Sequence, residues 1–289
     1  MIAVFKKELR AFFFSTMGYV FIGTFLLINT LVFLFYVLLT QYPTSNFGNV
    51  LNYLSTFLIF IIPILTMRAF SEEKKNRTDQ LLYTLPVKIF SIVIGKFLAS
   101  LCLFVIALLI TSIYVMVLSF FGSIAIMQLL STYFGFFLLG TSYIALGLFI
   151  SSFTENQVVA AILTIISLFM LLIVDAVSKN LSGTTSSGVM FIALLILIIC
   201  AMMYYFTRNY IISLIILFLG AIILAVLYFY FKDSLDGILG QAGTFISLIG
   251  RYETFSSGIL DIGSIVYYIS FIAVFIYLTF VKIEQERFN

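Results

Sequence analysis

MRAFSEEKKNRTDQLLYTLPVKIFSIVIGKF, residues 67–97, decides how the rest of the chain is read. It is the longest polar interruption in the first two-thirds of an otherwise apolar sequence. Lys74, Lys75, Arg77, Lys88 and Lys96 stand here among Glu72, Glu73 and Asp79, with apolar runs on both sides. Its local chemistry predicts a helix over 71–86. Ser71 can cap it, and Glu72 and Glu73 fall in the first turn, where the helix dipole favours anions. Glu73 and Arg77 are four apart, as are Lys75 and Asp79, so each pair can meet on one surface. Leu81, Leu82 and Leu85 form an apolar patch at the far end, and Pro86 stops the helix. Read without further context, the segment is a solvated loop between two membrane spans, basic as inner loops are.

Working outward, the chain of 289 residues is 63% hydrophobic and only 9% charged. A soluble domain carries about 25% charged residues. The composition therefore specifies an all-α polytopic membrane protein, one transmembrane domain over 1–289, with no nucleic-acid role in its small net charge. A span needs about 20 apolar residues. Eight such runs occur, at roughly 17–39, 51–69, 90–118, 129–151, 157–177, 189–207, 210–231 and 264–282. Pro63 can kink the second. The third is long enough to begin as a cytosolic helix. Only Arg208 and Asn209 divide the sixth from the seventh, and a single long helix there would invert the carboxyl terminus.

Charge sets the orientation. With the amino terminus inside, twelve of the fifteen Lys and Arg are cytosolic: Lys6, Lys7, Arg10, Arg68, Lys74, Lys75, Arg77, Lys88, Lys96, Arg208, Lys282 and Arg287. Lys179, Lys232 and Arg251 are outside. The positive-inside rule then puts both termini in the cytosol. Ahead of the first span, residues 1–14 carry Ile2, Phe5, Leu9, Phe12 and Phe13 on one side and Lys7 and Arg10 away from them. This fits an interfacial helix, the alternative being the polar start of the first span. The last outer loop predicts an amphipathic helix over 236–251. Ile238, Leu239, Ala242, Phe245, Ile246 and Ile249 lie on one face, and Asp236, Thr244, Ser247 and Arg251 on the other.

Catalytic motifs are missing. Gly95-Lys96 is followed by Phe97, and residue 90 is Phe rather than the first glycine of a nucleotide-binding P-loop. There is no His, and no acidic or cysteine cluster able to hold a catalytic metal, so no cofactor is expected. Cys102 and Cys200 lie in apolar runs and read as small buried hydrophobes. Asp175 is the one candidate ionisable residue within a span, either interfacial or functional. At about 1.5 Å per residue from Gln157 it lies near the outer boundary. In the fourth span Gly135, Gly140, Thr141, Ser142, Ala145 and Gly147 permit close helix packing or a weakly polar cavity wall.

Residues 68–97 resemble the first cytosolic loop of ABC-2 type permeases, the membrane subunits of ATP-binding-cassette exporters. That loop has an acidic residue, a Gly/Arg-Thr, a Leu pair, a Pro and a Gly-Lys-Phe. Here these are Glu72 and Glu73, Arg77-Thr78, Leu81-Leu82, Pro86 and Gly95-Lys96-Phe97. The tail looks like that of the gliding-motility-type branch: Phe255 to Gly258, Ile259-Leu260-Asp261, Tyr267-Tyr268, then Glu284 to Phe288. The usual family core has six spans, and the extra pair over 189–231 suits that branch. The resemblance implies that Glu72, Glu73, Arg77, Thr78, Leu81, Leu82, Leu85 and Pro86 contact a cytosolic ATPase subunit. It also implies a second permease copy, lipid around the spans, and a bacterial cell membrane. A channel or secondary transporter working without ATP would need intramembrane charges that this sequence lacks. A non-transporting scaffold subunit is the other alternative.

Overall fold

The computed structural model describes residues 2–39, 47–78, 88–120, 125–180 and 247–288. Among them every regular element is a helix: α1 (Ile2–Phe14), α2 (Thr16–Leu39), α3 (Phe47–Thr66), α4 (Ser71–Lys75), α5 (Ile89–Ile110), α6 (Ser112–Ser119), α7 (Ile126–Ser151), α8 (Gln157–Asn180), α9 (Leu248–Ser256) and α10 (Ile262–Phe288). Six stretches of the described residues are long and apolar enough to cross a membrane: Thr16–Tyr36, Gly48–Lys75, Ile89–Ser119, Ile126–Ser151, Gln157–Ala176 and Ile262–Arg287. They correspond to the first five expected spans and the last. The expected spans at 189–207 and 210–231, with Cys200 and the Arg208-Asn209 turn, lie outside the described residues. By its contacts the chain divides into two units, residues 1–169 with 251–289, and residues 170–250.

In the first unit α7 is the axis, packed against α3, α5 and α10. Its glycines are places where another element comes close. A Cβ at Gly140 would stand 2.3 Å from the Phe104 ring, one at Gly135 2.5 Å from Phe255, and one at Gly147 2.3 Å from Thr66 Oγ1. Lipid is as apolar as a side chain, so such close van der Waals packing holds membrane helices together. The hydroxyls of Thr141 and Ser142 turn back onto the carbonyls of Phe137 and Leu138. Thus these small residues of α7 serve packing. Phe25, Phe104 and Phe136 join α2, α5 and α7 in one aromatic layer, with centroids 6.1–6.4 Å apart. Replacing Gly140 by leucine should push this layer apart and cost about 1–3 kcal/mol. The purified protein should then unfold at a lower temperature on heating followed by size exclusion, with Gly140→Ala in between. An unchanged profile for Gly140→Leu would contradict this packing.

The third span is not one continuous helix. It starts at Ile89, directly after Lys88, and its excess length is taken up by a break at Thr111. The Thr111 hydroxyl donates to Leu108 O (2.6 Å) and lies 3.0 Å from Tyr133 OH, offering the backbone an alternative to the helical ladder. Pro63 stands inside α3, three residues before its end.

The helix expected over 236–251 differs from expectation. Residue 247 is not helical, so no helix runs through 236–251. Instead Ser247 caps α9: its hydroxyl accepts from Gly250 N–H (2.7 Å) and donates to Asp175. Asp175 and Ser247 are both buried. Ser247 therefore does not belong to an exposed polar face, and residues 236–246 lie outside the described part. The helix runs past Arg251 to Ser256. Gly258, at φ +90°, closes it through Ile259 N–H to Thr254 O (3.2 Å) and Gly258 N–H to Phe255 O (3.0 Å). Arg251 lies over the Tyr267 ring, 4.2 Å from its centroid. Asp261 then caps α10, accepting from Gly263 N–H (3.1 Å) and Ser264 N–H (2.9 Å). The Ser264 hydroxyl and these two N–H groups hold its carboxyl below the usual carboxylate range. The Phe255–Asp261 motif is thus a helix stop and then a helix start.

Candidate functional site: the buried charge cluster beside α4

The 68–78 segment is a short helix set among charges. α4 ends at Lys75, well before Pro86, which corrects the expected helix over 71–86. Asn76 ends it and Arg77 comes next at φ +55°, a left-handed conformation that costs a residue with a Cβ about 1–2 kcal/mol. At Thr78 the backbone is helical again, and its hydroxyl donates to Glu73 O at 3.3 Å. Leu81, Leu82, Leu85, Pro86 and Asp79 lie outside the described residues.

Ser71 does not cap α4. It lies within the helix and its hydroxyl turns back to Met67 O. The cap comes from α7, where Ser151 Oγ accepts from the N–H groups of Phe70 (3.2 Å) and Ser71 (3.3 Å) and donates to Met67 O. Ser151 lies one turn beyond Gly147, whose missing side chain lets α7 approach Thr66. A helix of five residues cannot hold itself together in isolation, so such outside partners fix it.

Glu72 and Glu73 part company. Glu72 accepts from Arg68, which reaches both its carboxylate oxygens, at the surface. Glu73 does not pair with Arg77 but turns inward, its side chain 16% exposed. It meets Lys96 Nζ at 3.0 Å and Lys7 Nζ at 3.1 Å. Lys96 is the centre of the cluster, with a side chain 2% exposed. Its three protons go to Glu73, to Glu8 (3.2 Å) and to Ala69 O (2.6 Å), and it lies 5.1 Å from the Phe70 ring centroid. A buried cation is tolerated only with this kind of complete pairing. Burial draws the Lys7 pKa down, but the Glu73 and Glu8 carboxylates outweigh it and hold that pKa above the ordinary lysine value.

Glu8 reaches Lys96 because α1 crosses α5 at Gly95, where a Cβ would stand 2.9 Å from Val4. The half-buried side of α1 holds Val4, Phe5, Glu8, Leu9, Phe12 and Phe13, while Ile2, expected there, is exposed. A cleft of about 420 Å³ opens between α1 and the 68–78 segment, with Phe12 and Met17 inside and Lys7, Arg68 and Asn76 along it. The sequence alone does not reveal Glu8 or the central role of Lys96. Two signals are available: an acid on the apolar side of α1, and a cation inside the apolar run of α5. In both settings a charge requires a partner.

The cluster binds two elements, α1 and α5, to α4 by charge. It contains no nucleophile with an adjacent base, and among the described residues no group of His, Cys, Asp and Glu is arranged to hold a metal. What it can do is transmit displacement, since moving α4 moves Glu73, which pairs with Lys7 of α1 and Lys96 of α5. Comparison with curated proteins finds no match to the chain. The sequence profile of the ABC-2 family transporter proteins matches residues 38–230, two-thirds of the chain, a range that includes α4, Lys96 and α7. With six described helices apolar and long enough to cross a membrane, the chain is a multi-pass membrane protein of the ABC-2 transporter family.

Proposed function

We propose that the chain is the permease subunit of an exporter driven by a separate cytosolic ATP-binding-cassette ATPase, which docks on residues 72–86. The observation that carries this reading is the Lys96 cluster. It ties α4 to α1 and α5, so that a push on a surface segment reaches two further helices. The sequence carries no nucleotide-binding loop, and a conformational change needs a ligand that distinguishes its states. A docked, nucleotide-dependent ATPase supplies that difference. Glu72, Arg77 and Thr78 would lie on the docking side with Leu81, Leu82, Leu85 and Pro86. Glu73 would act from inside, as the link to Lys96.

The working unit would hold two permease copies and two ATPase subunits in a bacterial plasma membrane. Both termini would be cytosolic, with α1 in the inner headgroup layer and eight spans as in the gliding-motility-type branch. The faces of α2 and α8 support an interface of the first and fifth spans. Leu27, Leu31 and Leu34 on α2, and Val158, Ile162 and Ile166 on α8, are exposed within this chain. Purification of the tagged protein from native membranes tests this reading. The expected complex contains an ATP-hydrolysing subunit and two permease chains by mass, and a lone permease chain with no such partner would refute it. Impermeant thiol labelling should reach cysteines at positions 187 and 234 from outside and leave one at 209 unlabelled. Labelling of position 209 from outside would end the eight-span topology.

A further inference from the structure

We propose that the cytosolic end of α10 is a working part of the coupling apparatus, latched to α4 by the Lys74–Glu286 ion pair. This inference rests on the reading of α4 as the ATPase docking segment.

Lys74 and Glu286 are 212 positions apart, yet Lys74 Nζ lies 2.7 Å from Glu286 Oε1. Their side chains are 11% and 25% exposed, so solvent screens the pair far less than an ordinary surface bridge. Lys74 also donates to Ser152 O at the end of α7. On the α10 side, Lys282, one turn earlier, meets the same Glu286 oxygen at 3.1 Å and lies 5.2 Å from the Phe153 ring centroid. Packing backs the charges. Ile283 is buried, and Phe275 and Phe280 of α10 meet Phe149 of α7 and Phe90 of α5 at 5.5 and 6.1 Å.

α3 and α5 flank the 67–88 segment and would move with it through the backbone. α10 has no such link, and Lys74 supplies one. A five-residue helix has no internal stiffness with which to drag a neighbour, so the fixed contacts decide which elements move with it. Glu73 carries motion into α1 and α5, and the adjacent Lys74 carries it into α7 and α10. Glu286 is therefore a positioning residue acting through Lys74.

Two measurements test this, in a background with Cys102→Ser and Cys200→Ser. Lys74→Cys with Glu286→Cys should be joined by a short bifunctional thiol reagent in permease-only membranes, read by mass spectrometry of the linked peptides. Joined permease, reconstituted with its ATPase, should retain stimulated ATP hydrolysis, because the two ends move together. Glu286→Ala and Glu286→Gln should each lower stimulated hydrolysis about fivefold or more, with co-purified ATPase and elution profile unchanged. The double variant with Lys74→Met should be no worse than Lys74→Met alone. The inference is overturned if the linker abolishes stimulation, if both Glu286 variants stimulate normally, or if the losses multiply. If the linked peptides form but no ATPase is ever found, the proposed function fails and the contact itself stands.

Discussion

Lys96→Met is expected to lower the stability of the protein by about 3 kcal/mol and to release α1 from α5. Removing one member of a buried ion pair costs roughly 3–5 kcal/mol, because the partner charge stays desolvated. Here two carboxylates, Glu8 and Glu73, would be left facing each other with the Ala69 carbonyl, their side chains only 14% and 16% exposed. The cost falls at the lower end because Lys7 still reaches both carboxylates, at 3.6 and 3.1 Å. Methionine fills the volume of the lysine stem, so the loss reports charge rather than a cavity. The thermal midpoint in detergent should drop by roughly 5–10 °C. Adding Glu8→Gln should recover part of the loss, since residues in one network are not additive. Should Lys96→Met melt with the parent protein, the cluster is not a structural hub.

Six of the eight expected spans were legible among the described residues, because a bilayer asks only for length and apolarity, and both are written in consecutive residues. The orientation rests on charge segregation along the sequence alone. The extent of α4 was not legible. Asn76 and Arg77 end it without the glycine that usually signals a stop, and its cap is Ser151, eighty positions further along. Ser247 looked like one polar position on an amphipathic face. Its partner Asp175 is 72 positions away, so its capping role was invisible. Lys96 stands in the second turn of α5, and nothing nearby in sequence names Glu8 and Glu73 as its partners. The leucines at 81, 82 and 85 were found from local pattern alone and rest on that pattern still.

Leu82→Asp should release the ATPase from the membrane, or uncouple hydrolysis from transport, while leaving the permease inserted. A leucine fully buried against a partner contributes roughly 1.5–3 kcal/mol, and a carboxylate in the same groove adds a desolvation cost. Binding should therefore fall by tenfold to several hundredfold, at about 1.4 kcal/mol per decade. Glu72→Gln should have a much smaller effect. Its pair with Arg68 is 36% exposed on the Glu72 side, and such bridges contribute only about 0–1 kcal/mol. Leu81→Asp and Leu85→Asp should resemble Leu82→Asp, with co-purified ATPase as the readout and permease level as the control.

The most direct measurement is photo-crosslinking from a light-activated amino acid at position 82 in native membranes, with position 266, on the exposed side of α10, as the control. The expected result is one covalent product from position 82 that contains the ATP-binding-cassette subunit, absent from position 266 and lost when Leu81 and Leu85 are replaced by Asp. A complex that retains its ATPase but gives no such product from positions 81, 82 or 85 would contradict docking on this segment.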